Sequence, residues 1–226
     1  MSVAADMGLT LSLYKINTKQ RVFNIQGQPG LRNKKRCAGQ IFRCAPNFPQ
    51  SAALAFHGRY IKQLNTVKPT VYIESSVISY LASRPSRDVI IAGRQAISHE
   101  WWENHRQRFE LRVSALVEEE VSRGDTVAAR RRIALIEDIS SLAISDEAMA
   151  LAELLVAQGA VPKGSEEDAL HIGIAAAQGA DYLLTWNFKH INNAEMKSAI
   201  AKVVESRGLV CPQLCSPEEL GGSVDD

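Results

Sequence analysis

From Lys68 onward, short apolar β-rich runs alternate with longer segments whose apolar residues recur at helical spacing, and few architectures accommodate that order. Val71-Tyr72-Ile73 follows Pro69 and predicts a strand. A helix is expected from about Asp88 to Arg108, with Val89, Ala92, Ala96 and Trp101 on its apolar side. Leu111 to Ser114 reads as a second strand, Thr126 to Ile139 as a helix, and Ser141 to Ser145 as a brief apolar run. Asp146 to Gln158 predicts a helix capped by Asp146, and Glu166 to Gln178 another, ended by Gly179. Tyr182 to Trp186 reads as a buried strand, Ala194 to Ser206 as a helix, and Leu209 to Cys211 as the last strand. Ser216-Pro217-Glu218-Glu219 has the cap-then-proline order of a helix start. Strands that alternate with helices pair in parallel. The expected fold class is therefore α/β, a three-layer α/β/α arrangement with a mostly parallel central sheet.

Residues 1–66 obey other rules. They hold ten of the 26 Lys and Arg but one of the 25 Asp and Glu, and they show no sustained period. The expected organisation is a basic extension over 1–66 and one globular domain over 67–226. Three readings of the extension stay open: a nucleic-acid-binding arm, a poorly ordered tail, and a non-native stretch ahead of a start at Val67. No run reaches the roughly 18 apolar residues of a membrane span. The N-terminus lacks the order of an export signal, so a cytoplasmic protein with free thiols at Cys37, Cys44, Cys211 and Cys215 is expected.

Parallel sheets place ligands outside the carboxyl ends of their strands. Glu74 follows Val71-Tyr72-Ile73 directly, and Asn187 follows Leu183-Leu184-Thr185-Trp186 in the same way. Asp168 opens a helix, and Ser165 three residues earlier completes the pattern of a capping box. His171 lies one turn later on the same face; the ordinary reading of a lone helical His is packing or hydrogen bonding. In Glu118-Glu119-Glu120 adjacent side chains diverge, so only one need serve a site.

Read in order, these segments resemble the PIN-domain ribonuclease family. Tyr72-Ile73-Glu74-Ser75-Ser76-Val77-Ile78 looks like its opening strand, and Ser114 to Gly124 is similar to its second motif. In that motif an acid stands six residues after a Ser and four before a Gly, which selects Glu120. Asp168-Ala169-Leu170-His171-Ile172 resembles the most recognisable string of the family, and Leu183 to Asn187 the fourth motif. The similarity runs from about Lys68 to Leu220, and the nearest branch looks like the VapC-like toxins of toxin–antitoxin pairs. Two positions depart from the pattern: Glu74 and Asn187 stand where Asp is usual.

The resemblance implies an endoribonuclease that depends on Mg2+ or Mn2+. Glu74, Glu120 and Asp168 would be the metal ligands, Asn187 would join them in catalysis, and Ser76 would support the site. It further implies an RNA substrate, a small antitoxin partner and a homodimer. Hard cations select oxygen ligands, and crowded carboxylates without a cation should titrate high. An acidic site for a polyanion also needs flanking bases; Arg84, Arg87, Lys189 and His190 are the candidates. The alternative is a PIN-like module that binds RNA or a protein without cutting. A phosphatase on a doubly wound sheet is disfavoured, because no phosphate-cradling glycine loop follows any strand.

Overall fold

The computed structural model of the chain describes residues 67–221. The expected extension over 1–66, with Cys37 and Cys44, lies outside the described residues. Five short strands build one sheet: β1 (Thr70–Ile73), β2 (Glu110–Ser114), β3 (Ser140–Leu142), β4 (Tyr182–Leu184) and β5 (Gln213–Cys215). Their order is β3-β2-β1-β4-β5, and every pairing is parallel. The α/β class read from the alternation is the observed one. The first strand in sequence thus becomes the middle of the sheet, flanked by β2 and β4. Val71, Tyr72 and Ile73 alternate between the two faces, and all three are fully buried, so helices cover both faces.

The helices are α1 (Ser75–Ala82), α2 (Val89–Glu100), α3 (Ala115–Ser122), α4 (Thr126–Ile136), α5 (Asp146–Ala157), α6 (Glu166–Ala177), α7 (Ala194–Ser206) and α8 (Pro217–Gly221). α2 differs most from expectation. It ends at Glu100, and the chain continues through a wide turn of π type over Trp101–His105 and a tight one over Arg106–Arg108. Of its expected apolar side only Trp101 is buried: Val89 is 85% exposed and Ala96 is exposed, and within the helix the buried residues are Gln95 and Ser98. Hydrogen bonds decided the docking. Gln95 donates to Arg84 O at 2.9 Å and accepts from Ser86 N at 2.9 Å, while Ser98 Oγ accepts from Trp186 Nε1 at 2.8 Å. Trp101 is buried and stacks on Phe109.

Two smaller corrections have plain causes. Ser145, not Asp146, caps α5 by accepting from Ala148 N at 3.1 Å, which leaves Asp146 in the first turn where its charge still suits the helix dipole. The last strand is Gln213–Cys215 rather than Leu209–Cys211. Pro212 lacks an N–H, so the ladder opens one residue later, with Gln213 N donating to Asp181 O at 2.9 Å. Against α5, α6 comes unusually close: a Cβ built on Gly173 would stand 2.3 Å from Ala148 O. That contact seats the helix carrying Asp168 and His171.

Candidate metal centre

The register that pairs Ile73 with Leu184 puts Glu74 and Thr185 side by side at the carboxyl ends of β1 and β4. Glu74 N donates to Leu184 O at 3.0 Å, and the Glu74 side chain then turns back to cap α1. Three hydroxyls and one backbone amide donate to its carboxylate. Oε1 accepts from Ser75 Oγ at 2.9 Å and Ser76 N at 3.1 Å; Oε2 accepts from Thr185 Oγ1 at 2.7 Å and from Ser76 Oγ. Ser76 Oγ and Thr185 Oγ1 in turn accept from Trp186 N and Asn187 N, both at 2.9 Å. A carboxylate only 6% exposed is thereby satisfied and locked to the turn after β4.

Glu120 arrives from α3, which begins where β2 ends at Ser114. His171 arrives from α6 and is 1% exposed. Its Nε2 lies 3.0 Å from Glu120 Oε2, and its Nδ1 lies 2.8 Å from Tyr72 Oη, itself 2.7 Å from Ser114 Oγ. Ligand atoms of Glu74, Glu120 and His171 all fall within 4.8 Å of one another. Two carboxylates and an imidazole in one pocket are a donor set that can hold a metal ion.

Glu120 does not titrate in the expected direction. Burial pushes the Glu120 carboxyl up, but the hydrogen bond and charge of His171, helped by Ser75 and Arg123, outweigh it and hold the group below its ordinary value. Burial pushes the His171 imidazole down, but the hydrogen bond and charge of Glu120, with the charges of Glu74 and Asp168, win and raise it. The expectation of a raised value fails at Glu120 because the hydrogen bond to His171 favours the ionised carboxylate.

Asp168 stands beside this group rather than inside it. Its Oδ1 accepts from Asn187 Nδ2 at 2.9 Å, and its Oδ2 lies 2.7 Å from His190 Nδ1. Asn187 Oδ1 accepts from His190 N at 3.0 Å, so Asp168, Asn187 and His190 form one unit. The expected capping box at Ser165 is not made. Ser165 makes no cap bond, and its hydroxyl lies 3.0 Å from His190 Nδ1. Of the four expected RNA-binding bases, Arg84, Arg87 and Lys189 are exposed, whereas His190 is committed to Asp168. Glu119 is drawn off by Arg123, which leaves Glu120 of the acidic run for the pocket.

Sequence reasoning passed over His171 and Tyr72. The signals were present. Tyr72 lies two residues before Glu74, on the same face of β1, and His171 lies one turn after Asp168. Burial pushes the Cys211 thiol up to about 11 and the Cys215 thiol up to about 12, each with a nearby carboxylate adding to the effect. No family model matches the chain, and no curated protein matches it. Among the described residues, no helix is long and apolar enough to cross a membrane.

Proposed function

We propose that the chain is a metal-dependent endoribonuclease of the PIN type, acting on RNA as the toxin of a toxin–antitoxin pair. The observation that carries this reading is the meeting of Glu74 and Glu120, from separate motifs, at the carboxyl edge of a parallel sheet. Glu74, Glu120 and His171 would hold the divalent ion, Mg2+ or Mn2+. When bound, the ion activates water and relieves charge on the phosphoryl oxygens. The protein's own part is positional. Ser75, Ser76 and Thr185 fix Glu74, and Asn187 and His190 fix Asp168 at the mouth, where it orients the attacking water and takes its proton. Exposed Arg84, Arg87 and Lys189 supply phosphate contacts, so binding weakens as salt rises. Val89, Ile90 and Ile91, exposed at the start of α2, support a contact with an antitoxin or a second copy.

The test is cleavage of single-stranded RNA by the full chain and by Asp168→Asn. The variant is expected to stay folded, with unchanged far-UV circular dichroism, and to lose Mg2+- and Mn2+-dependent cleavage by at least about 100-fold. Unchanged cleavage would remove Asp168 from the mechanism. One observation favours a second reading, a domain that binds RNA or a protein without cutting: both Asp168 oxygens are already engaged. RNA retention without cleavage across a Mg2+ and Mn2+ titration would decide for it.

A further inference from the structure

His171 is the one member of the pocket that an oxygen-only site would not contain. Both nitrogens of this buried ring are engaged. On one side Nδ1, Tyr72 Oη and Ser114 Oγ form a file at 2.8 and 2.7 Å, and Tyr72 and Ser114 are fully buried. On the other side Nε2 faces the Glu120 and Glu74 carboxylates. If Nδ1–H donates to Tyr72 Oη and the phenol donates to Ser114 Oγ, which also accepts from Val117 N, Nε2 is left to point at the two acids. Such an outer donation is what fixes the tautomer of a metal-bound imidazole and makes it a better base.

We propose that His171 ligates the ion through Nε2, with Tyr72 as its positioning residue, and that this nitrogen directs the site toward a first-row transition ion such as Mn2+, Co2+ or Zn2+ rather than Mg2+. Mg2+ dehydrates reluctantly and takes oxygen ligands, whereas imidazole suits the transition series. The inference rests on the metal centre of the preceding section, but it does not need RNA to be the substrate. The rival arrangement is an imidazolium that pairs with Glu120 and holds no ion at all.

Pulsed electron paramagnetic resonance on the full chain, stripped with chelator and reloaded with Mn2+, separates the two. Modulation from a directly bound 14N nucleus is expected, and Tyr72→Phe should weaken Mn2+ binding about 10- to 100-fold while changing Mg2+ binding little. Protein-bound Mn2+ without 14N coupling would overturn the proposal, as would failure to bind Mn2+. If Tyr72→Phe does not fold, the spectrum of the unaltered chain still decides. Nitrogen coupling in a protein that cuts no RNA would sink the nuclease reading and leave this one standing. RNA cleavage with Mg2+ and a nitrogen-free Mn2+ spectrum would do the reverse.

Discussion

A carboxylate withdrawn from water must have its oxygens occupied, and at Glu74 three hydroxyls and a backbone amide do this. Thr185 is the critical donor because it bridges: it gives a hydrogen bond to Glu74 and takes one from Asn187 N. Thr185→Val keeps the shape and removes both. Hydrogen bonds to charged groups contribute about 1.5–3 kcal/mol, so denaturant unfolding should show a loss of about 2 kcal/mol, and metal binding should weaken with it. An unchanged midpoint would mean that Glu74 finds another donor. The same scale shows why one residue was readable and its neighbour was not. Glu74 stands out as an acid after an apolar run. His171 looks like any helical histidine until Tyr72 and Glu120, 99 and 51 positions away in the chain, close on its two nitrogens.

At the scale of elements, two contacts hold the site in place. The first is the close approach of α5 and α6 at Gly173. Because the obstructing atom is a backbone oxygen, Gly173→Ala must push the helices apart, and overpacking of this kind costs about 1–3 kcal/mol. Chemical denaturation should register that loss, and the metal centre should loosen with it, since His171 lies two residues away. The second is the start of α8, where the sequence was read correctly. Ser216 caps the helix, and Glu219 reaches back to Ser216 N at 2.8 Å and on to Asn192 Nδ2 at 2.9 Å. Partial burial pushes the Glu219 carboxyl up, but the bonds from Asn192 and Ser216, with the charge of Lys197, outweigh it and lower the group. A carboxyl lowered in the folded state stabilises above its unfolded value and loses that contribution as pH falls through its folded value. Protection factors of the α8 amides, corrected for intrinsic exchange, should therefore be highest near neutrality and fall below about pH 4.5, and Glu219→Gln should flatten that dependence. A protection profile indifferent to pH would mean the box contributes little.

For the whole molecule, the test is linkage between cation and fold. An ion that binds only the folded chain stabilises it by about 2.7 kcal/mol at 100 times its Kd. Thermal unfolding of the full chain should move up when Mn2+ is added and return when chelator removes it. Glu120→Gln should abolish most of the shift, because it replaces a charged ligand of the candidate site with a neutral amide. Indifference of the melting curve to Mg2+, Mn2+ and Co2+ alike would leave the pocket as a buried ion pair and nothing more.

Sequence alone determined the class of the fold and the strand ends that carry Glu74 and Asn187. Alternation of short apolar runs with helical segments implies parallel pairing, and parallel pairing implies a site at the carboxyl ends, where Glu74 and Asn187 were placed. The fold class and the strand placements hold because they depend on local periodicity, which the chain carries wherever it folds. Only the tertiary structure decided which polar residues meet. α2 docks through Gln95 and Ser98 instead of Val89 and Ala96, because distant loop groups and Trp186 offered hydrogen bonds that no local pattern records. Asp168 pairs with Asn187 and His190 while His171 faces Glu74 and Glu120, because the register of β1 against β4 and the close seating of α6 set which side chain reaches the pocket.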